Sequence, residues 1–214
     1  MMASQEFHGI RAASAVDALS IAASNNLLPE MRRLLADGVD VNGVASYCGG
    51  TALHTAAGQG VLDAVNFLID AGADLNARDV KNDLTPLMSA CSLGTVKGGK
   101  VVLRLIEAGA DVLQVRTADE MTALKFAVRG SPDVVQALLD HGAEVDGPSG
   151  TAQTALMIAA RGNNVAALKV LVKKGADVSL PCQLKWAGGR TAEGLAELEK
   201  RRAALAYMRE LRAG

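Results

Sequence analysis

Residues 51–76 read TALHTAAGQGVLDAVNFLIDAGADLN, and the order of residue types in them describes two helices and a reversal. Thr51 is placed as an N-cap, because its hydroxyl can accept from the free N–H groups of a first turn. Leu53, Ala56 and Ala57 follow at helical spacing and predict one short helix with small residues on its packed face. Gly60 marks a turn, and Val65, Leu68 and Ile69 resume the helical period in a second segment. Gly72 stands where a helix ends in the left-handed conformation, which a residue without Cβ adopts at no steric cost. The polar residues after Gly-Ala-Asp then turn the chain back. A helix pair this small cannot bury its apolar face alone, so it needs a neighbour of the same kind.

The chain supplies those neighbours. Units in the same phase start at Asp17, Thr51, Thr85, Thr122 and Thr154, with a degenerate one at Thr191, so successive starts lie 32 to 37 residues apart. Each opens on Thr or Asp as an expected N-cap, and Pro86 occupies a first helical position, where its missing N–H does no harm. Asn26, Gly60, Gly94, Gly130 and Gly162 are the expected inter-helix turns, and Gly38, Gly72, Gly109, Gly142 and Gly175 the expected helix ends. A period of this length signifies a stacked-repeat architecture.

The T-P-L-H, A-A, turn-Gly, L-L and G-A-D-V-N pattern, matched best by Thr51–Asn76 and Thr85–Asp111, resembles the ankyrin repeat. The resemblance runs from about Asp17 to Leu211. It implies an all-α solenoid of helix–turn–helix units joined by hairpin loops. The expected organisation is a single domain, 1–214, with an N-terminal extension over 1–16, repeats from 17, 51, 85, 122 and 154, and a C-terminal cap over 191–212. Worn first and last units fit capping repeats, whose outer face meets water. The pattern also departs from the family. Only the second unit keeps the His (His54), where the others have Ser20, Met88, Lys125 and Met157, and the fourth is one residue short before its turn.

One stretch points elsewhere. Residues 94–101, GTVKGGKV, come within one residue of the phosphate-loop pattern, which would make the chain a nucleotide-binding enzyme. Val101 replaces the hydroxyl that would hold magnesium, and the repeat phase puts a helix, not a strand, before the loop. The inserted "KGG" is therefore expected to be an extended helix–helix turn, and nucleotide chemistry is the alternative to a non-catalytic role.

Composition narrows the classes. Hydrophobic residues make up 50% and aromatics 3%, so the core must be built from Ala, Leu and Val, which suits closely stacked helices. A net charge of −1 argues against nonspecific nucleic-acid binding. No apolar run reaches the length of a membrane span, and no signal peptide is visible, so a cytoplasmic, monomeric protein is expected. Cys48, Cys91 and Cys182 are odd in number and far apart, which predicts neither a disulfide framework nor a zinc site. Cys91 sits at a core Ala position and is expected to be buried; Cys48 and Cys182 fall in loops and are expected to be exposed. No cofactor and no metal are expected, since His8, His54 and His141 have no ligand spacing with any Cys. The resemblance makes His54 structural, its ring bridging backbone and Thr hydroxyl. His141 is expected at the surface beside helix C-terminal carbonyls. The repeated Asp74, Asp111 and Asp177 predict turn or capping roles.

What is left after the repeat's own requirements points to a partner protein. In the family, the hairpin tips and the exposed residues of the first helices form the binding groove. Here the tips fall near Ala45–Cys48, Asp79–Asp83, Thr117–Met121, Pro148–Gln153 and Leu180–Gly189, and the floor includes Asn25, Gln59, Ser92, Leu93, Arg129 and Arg161. The candidate partner-binding residues are Tyr47, Gln59, Lys81, Asn82, Leu93, Asp119, Glu120, Met121, Arg129, Arg161, Trp186 and Arg190. Interface energy concentrates in Trp, Tyr and Arg, and Trp186 is the only Trp; the alternative for it is a lid folded over the last helices. Arg129 and Arg161, with Lys125 and Arg190 near the same end, predict a partner with an acidic segment. Asp79, Asp83, Asp119 and Glu120 are expected to make the middle tips acidic. The implied function is a non-catalytic protein–protein interaction module, as adaptor or as inhibitor or immunity-type protein.

Overall fold

The computed structural model describes residues 6–7, 10–11, 13–147 and 153–213. Its contacts group into two compact units that divide between Asp111 and Val112.

The first unit opens with a minimal antiparallel pairing of β1 (Glu6–Phe7) and β2 (Ile10–Arg11), a small addition to the expected all-helical pattern. Three helix pairs follow: α1 (Ala15–Ser24) with α2 (Leu28–Ala36), α3 (Ala52–Gln59) with α4 (Leu62–Asp70), and α5 (Pro86–Ser92) with α6 (Val96–Glu107). First helices pack on first helices, α1 on α3 on α5, and second on second, α2 on α4 on α6. Leu53, Ala56, Ala57, Val65 and Leu68 are fully buried between these layers.

The second unit repeats the scheme with α7 (Ala123–Ala127) and α8 (Pro132–Asp140), α9 (Ala155–Arg161) and α10 (Val165–Lys173), and α11 (Ala192–Leu198) and α12 (Arg202–Ala213). A single 3-10 turn, Lys185–Ala187, lies in the loop before α11. The short α7 corresponds to the unit that is one residue short before its turn.

Thr85, Thr122, Thr154 and Thr191 each accept a bond from the N–H three residues on, as N-caps should. The first unit differs. Its helix starts one turn earlier under Ser14, whose hydroxyl accepts from Asp17 N–H at 3.1 Å. Asp17 is thereby free to act elsewhere. Its buried carboxylate accepts from the backbone and hydroxyl of Ser46, tying the first hairpin to α1. Gly72 and its four counterparts have φ between 84° and 94°, the left-handed ends expected of them. At the inter-helix turn of the fifth repeat, Asn163 (φ 57°), not Gly162 (φ −74°), takes the left-handed position, and Gly130 is not among the positive-φ residues.

The turn Asp residues act locally. Asp74 and Asp177 accept from the N–H two residues on, at 2.9 and 2.8 Å. Successive repeats are also laced: Asn42 accepts from Asp74 N–H, Asn76 from Asp111 N–H, and Asp146 from Asp177 N–H, at 2.8 to 3.2 Å.

The "KGG" insertion is not a loop. Residues 97–99 form the first turn of α6, capped by Thr95, so the insertion lengthens the second helix to 12 residues where its neighbours have 9. Gly98 allows this, because a Cβ there would lie 2.9 Å from both the Ala90 carbonyl and Leu93 Cβ.

Candidate protein-binding faces

In the first unit, Tyr47 reaches from the first hairpin to the first helices. Its hydroxyl shares a 2.9 Å hydrogen bond with Ser20 of α1, and Ser20 in turn bonds Thr55 of α3 at 2.7 Å. Burial raises the Tyr47 pKa, so the phenol stays protonated, yet 48% of the residue remains exposed. The result is an aromatic ring fixed at one end and open to contact. Lys81 Nζ donates to the Tyr47 carbonyl at 2.5 Å, joining consecutive hairpins, and Asn82 is exposed beside it. Val80, 75% exposed, projects from the same tip. Gln59 is exposed at the end of α3, while Leu93 is half-buried against the Gly98 backbone.

Of the four acids expected to make the middle tips acidic, three are engaged by donors of their own hairpins. Asp79 is buried, and its carboxylate accepts from the backbone N–H groups of Lys81, Asn82 and Leu84, holding the hairpin closed. Asp83 pairs with Arg78 at 2.7 Å. In the second unit, Asp119 is bonded by Arg116 Nε at 2.7 Å; the Arg116 guanidinium lies over Phe126 and pulls the Asp119 pKa down. These carboxylates carry their own donors because tight hairpins need acceptors for their N–H groups. Glu120 and Met121 are half-buried, and Glu120 has a left-handed backbone.

Lys125 is not a surface cation. It is 2% exposed, in the slot His54 fills in its repeat, with Nζ donating to the Glu120 carbonyl at 2.9 Å. Burial lowers its pKa against the opposing pull of Glu120 and Asp119. Its alkyl stem packs where an apolar residue would, and its head finds a hairpin carbonyl. Cys182 is likewise buried rather than exposed, because its N–H donates to the Arg190 carbonyl at 2.8 Å and draws the loop base inward. Cys91 is buried as expected, with its thiol pKa raised by burial, and Cys48 is half-buried. His54 Nε2 donates to the Leu84 carbonyl at 2.9 Å, while Nδ1 accepts from Thr51 N–H and hydroxyl. Burial holds its pKa down. His141 Nδ1 bonds the Ala137 carbonyl at 2.8 Å at the end of α8.

The second unit brings Arg161 and Trp186 together. The guanidinium carbon lies 4.5 Å from the ring centroid, close enough for a cation–π contact. Arg161 Nη2 also meets Glu199 at 3.2 Å, and Arg201 approaches the other carboxylate oxygen at 3.8 Å. Arg161 Nε is buried without a hydrogen-bond partner. Trp186 therefore does fold back onto a first helix, yet it stays 48% exposed. Arg129 is exposed at the end of α7, and Arg190 is exposed with Nη1 donating to the Ala187 carbonyl at 2.8 Å. Glu199 is not among the residues the sequence pattern singles out. The available signal is register: it follows Thr191 by the interval that separates Gln59 from Thr51 and Leu93 from Thr85. Residues 148–152 of the fourth tip, and His8, lie outside the described residues. Among the described residues, no group of three His, Cys, Asp or Glu could hold a metal, and no helix is long and apolar enough to cross a membrane.

Stacked helix pairs joined by hairpins, with Thr caps at their starts and left-handed Gly at their ends, define a helical repeat protein. The family model described as ankyrin repeats (3 copies) matches residues 19–116, 78–149 and 95–182, and the chain belongs to the ankyrin-repeat family. It is 28% identical over 160 residues to an L-asparaginase of Dirofilaria immitis, covering 74% of this chain and 26% of that protein. It is 35% identical over 129 residues to the ankyrin repeat and KH domain-containing protein mask-1 of Caenorhabditis elegans, covering 59% of this chain and 5% of that one. The chain thus spans about a quarter or less of these relatives, whose activities belong to much longer proteins. Among solved structures, it is similar to a chain in the complex of the predatory endopeptidase Bd0816 of Bdellovibrio bacteriovorus with the immunity protein Bd3460. The TM-score is 0.78 at 26% identity, covering 90% of this chain and 97% of that one.

Proposed function

We propose that this protein is a non-catalytic module that binds another protein through the faces built by its first helices and hairpins. Its sharper form is an inhibitor or immunity-type protein that covers a partner's working surface. The observation that carries the reading is the state of the two aromatics: Tyr47 and Trp186 are each anchored to a first helix and each half-exposed. A ring held in place loses little entropy when a partner covers it, and such residues dominate interface energy. The inhibitory form draws support from a chain of the same fold that belongs to a peptidase–immunity protein complex.

The nucleotide alternative loses support at its own loop. Val101 is buried where a magnesium-binding hydroxyl would stand. The N–H groups of Gly98 and Gly99 already bond Thr95 at 3.2 and 2.9 Å, so they do not face an anion. The similarity to L-asparaginase covers 26% of that enzyme and leaves its chemistry with the enzyme.

The test is affinity capture from the native cell with the wild type, Tyr47→Ala and Trp186→Ala, followed by mass spectrometry and an activity assay of whatever is captured. A partner retained by the wild type and lost from either variant, at nearly unchanged melting temperature, is the expected result. Equal capture by all three would sink the proposal.

A further inference from the structure

We infer that the Arg161–Trp186 surface is a carboxylate-accepting subsite, and that Glu199 is a resident carboxylate which an acidic segment of the protein partner displaces. The inference rests on the reading of this unit's first-helix face as a binding surface. Arg161 has five N–H donors and uses one, Nη2, on Glu199 at 3.2 Å; its Nε is buried and unbonded. Trp186 covers one face of the guanidinium at 4.5 Å, which holds the plane without satisfying its edge. A planar fork that holds one carboxylate oxygen and keeps an unsatisfied N–H suits a carboxylate better than a point charge would.

The surrounding charges favour the same ligand. Arg129, at the end of α7 beside α9, is exposed and its side chain has no partner among the described residues, and neither has the side chain of Lys185 next to Trp186. Among the described residues, the side chain of Arg190 bonds a carbonyl and no carboxylate. Arg201 shares Glu199 with Arg161. The other acids of α11 do not offset these cations, because Glu193 and Glu197 are held by Arg209 and Arg212 of α12. Asp133 is exposed in the first turn of α8 under Ser131, at the same inter-helix end as Arg129, but no ion pair joins the two among the described residues. Glu199 is therefore the acid bonded to the Arg161 fork, and the contact is half-open, at 36% and 31% side-chain exposure. An exposed pair of this kind is weak enough to exchange.

Trp186, the only Trp, reports on the site directly through its fluorescence. The full chain is titrated with a blocked Glu-rich decapeptide, its Gln counterpart, and an oligouridylate, each to about 1 mM, the weak end of specific binding. The Glu peptide should change the emission saturably, and the Gln peptide should not. Arg129→Gln, which touches no intramolecular partner, should raise the Kd for the Glu peptide about tenfold, and Glu199→Gln should lower it several-fold. Added salt should weaken the Glu peptide more in the wild type than in Arg129→Gln. No response to the Glu peptide, an equal response to the Gln peptide or the oligouridylate, or a Kd for Glu199→Gln that is unchanged or higher would overturn the inference. A captured partner that depends on Trp186 but is not displaced by excess Glu peptide sinks this inference alone. Capture indifferent to Trp186→Ala and Tyr47→Ala sinks the binding reading beneath it.

Discussion

Replacing Gly98 by Ala tests how the inserted turn of α6 is accommodated. Two effects oppose each other. In a helix, Ala is favoured over Gly by about 1 kcal/mol, because Gly gives up more backbone freedom. Against this, the new Cβ would stand 2.9 Å from the Ala90 carbonyl, 2.9 Å from Leu93 Cβ and 3.3 Å from Leu93 Cδ1. The first of these is backbone in α5 and cannot swing away. Forcing a methyl into such a contact costs about 1–3 kcal/mol, so Gly98→Ala should destabilise by roughly 1 kcal/mol. Gly58, in α3, supplies the control: a Cβ there meets only Ser89 Cβ at 3.8 Å, an ordinary contact. Gly58→Ala should therefore stabilise by about 0.5–1 kcal/mol. The gap between the two variants, about 2 kcal/mol, cancels the propensity term they share and corresponds to about 1 M in a urea midpoint. Circular dichroism reads the midpoints. Hydrogen exchange over α5 and α6 locates the loss, which matters because stacked repeats unfold partly by neighbourhood. If Gly98→Ala stabilises as Gly58→Ala does, the first turn of α6 does not lie against α5, and the insertion returns to being a loop.

Other consequences can be measured alongside. Leu53→Ala and Leu68→Ala, both at fully buried positions, should each cost about 2–5 kcal/mol in urea unfolding; an unmoved midpoint for either would contradict its place in the core. Lys125→Met should raise stability by about 1 kcal/mol, since Met88 and Met157 fill the same slot and burial of the ammonium already lowers its pKa; a loss would mean that the bond to the Glu120 carbonyl outweighs the desolvation. The pKa of His54 is depressed by burial, so the native state takes up its proton less readily than the unfolded chain, whose imidazole titrates near about 6.5. The contribution of His54 is full above that value and falls as the pH drops below it, until the native pKa is passed. The melting temperature should decline more steeply below about pH 6.5 in the wild type than in His54→Met, and parallel profiles would rule out His54 as the source.

Which features can be read in the sequence depends on how far along the chain a residue's partners lie. Thr51, Thr85, Thr122, Thr154 and Thr191 cap the helix that starts beside them, and Gly72 and its counterparts need only their own φ to be left-handed. Such local demands leave a residue type at a fixed phase, so helix pairs, turns and repeat boundaries are legible, together with the core positions Leu53 and Leu68. The first unit misleads for a related reason. Asp17 stands in phase with the Thr caps, but Ser14 three residues earlier also fits a cap, and only the hairpin at Ser46 decides which of them is used.

The charges of the candidate faces are less legible, because their meaning is set by partners far along the chain or by hairpin closure. Asp79, Asp83 and Asp119 look like unpaired acids in a polar loop until the loop folds and takes them as acceptors. Lys125 looks like a surface cation until its register is recognised as that of His54, a slot that faces inward whatever occupies it. Arg129 and Arg161 hold matching positions in consecutive repeats, and register alone makes them equivalent. They are not equivalent once Trp186 and Glu199 arrive, from 25 and 38 residues away, at Arg161 and leave Arg129 open. A repeat thus makes position legible and leaves chemistry to the neighbours. The open Arg129 and the held Arg161 should respond differently to the same substitution: Arg129→Ala should weaken partner binding and leave the melting temperature in place, whereas Arg161→Ala should lower both, since it also removes the contact that covers one face of Trp186 and the bond to Glu199. Equal thermal behaviour of the two variants would mean that the Arg161 contacts contribute nothing to the fold, and that the two arginines are as alike in the folded chain as they look in its sequence.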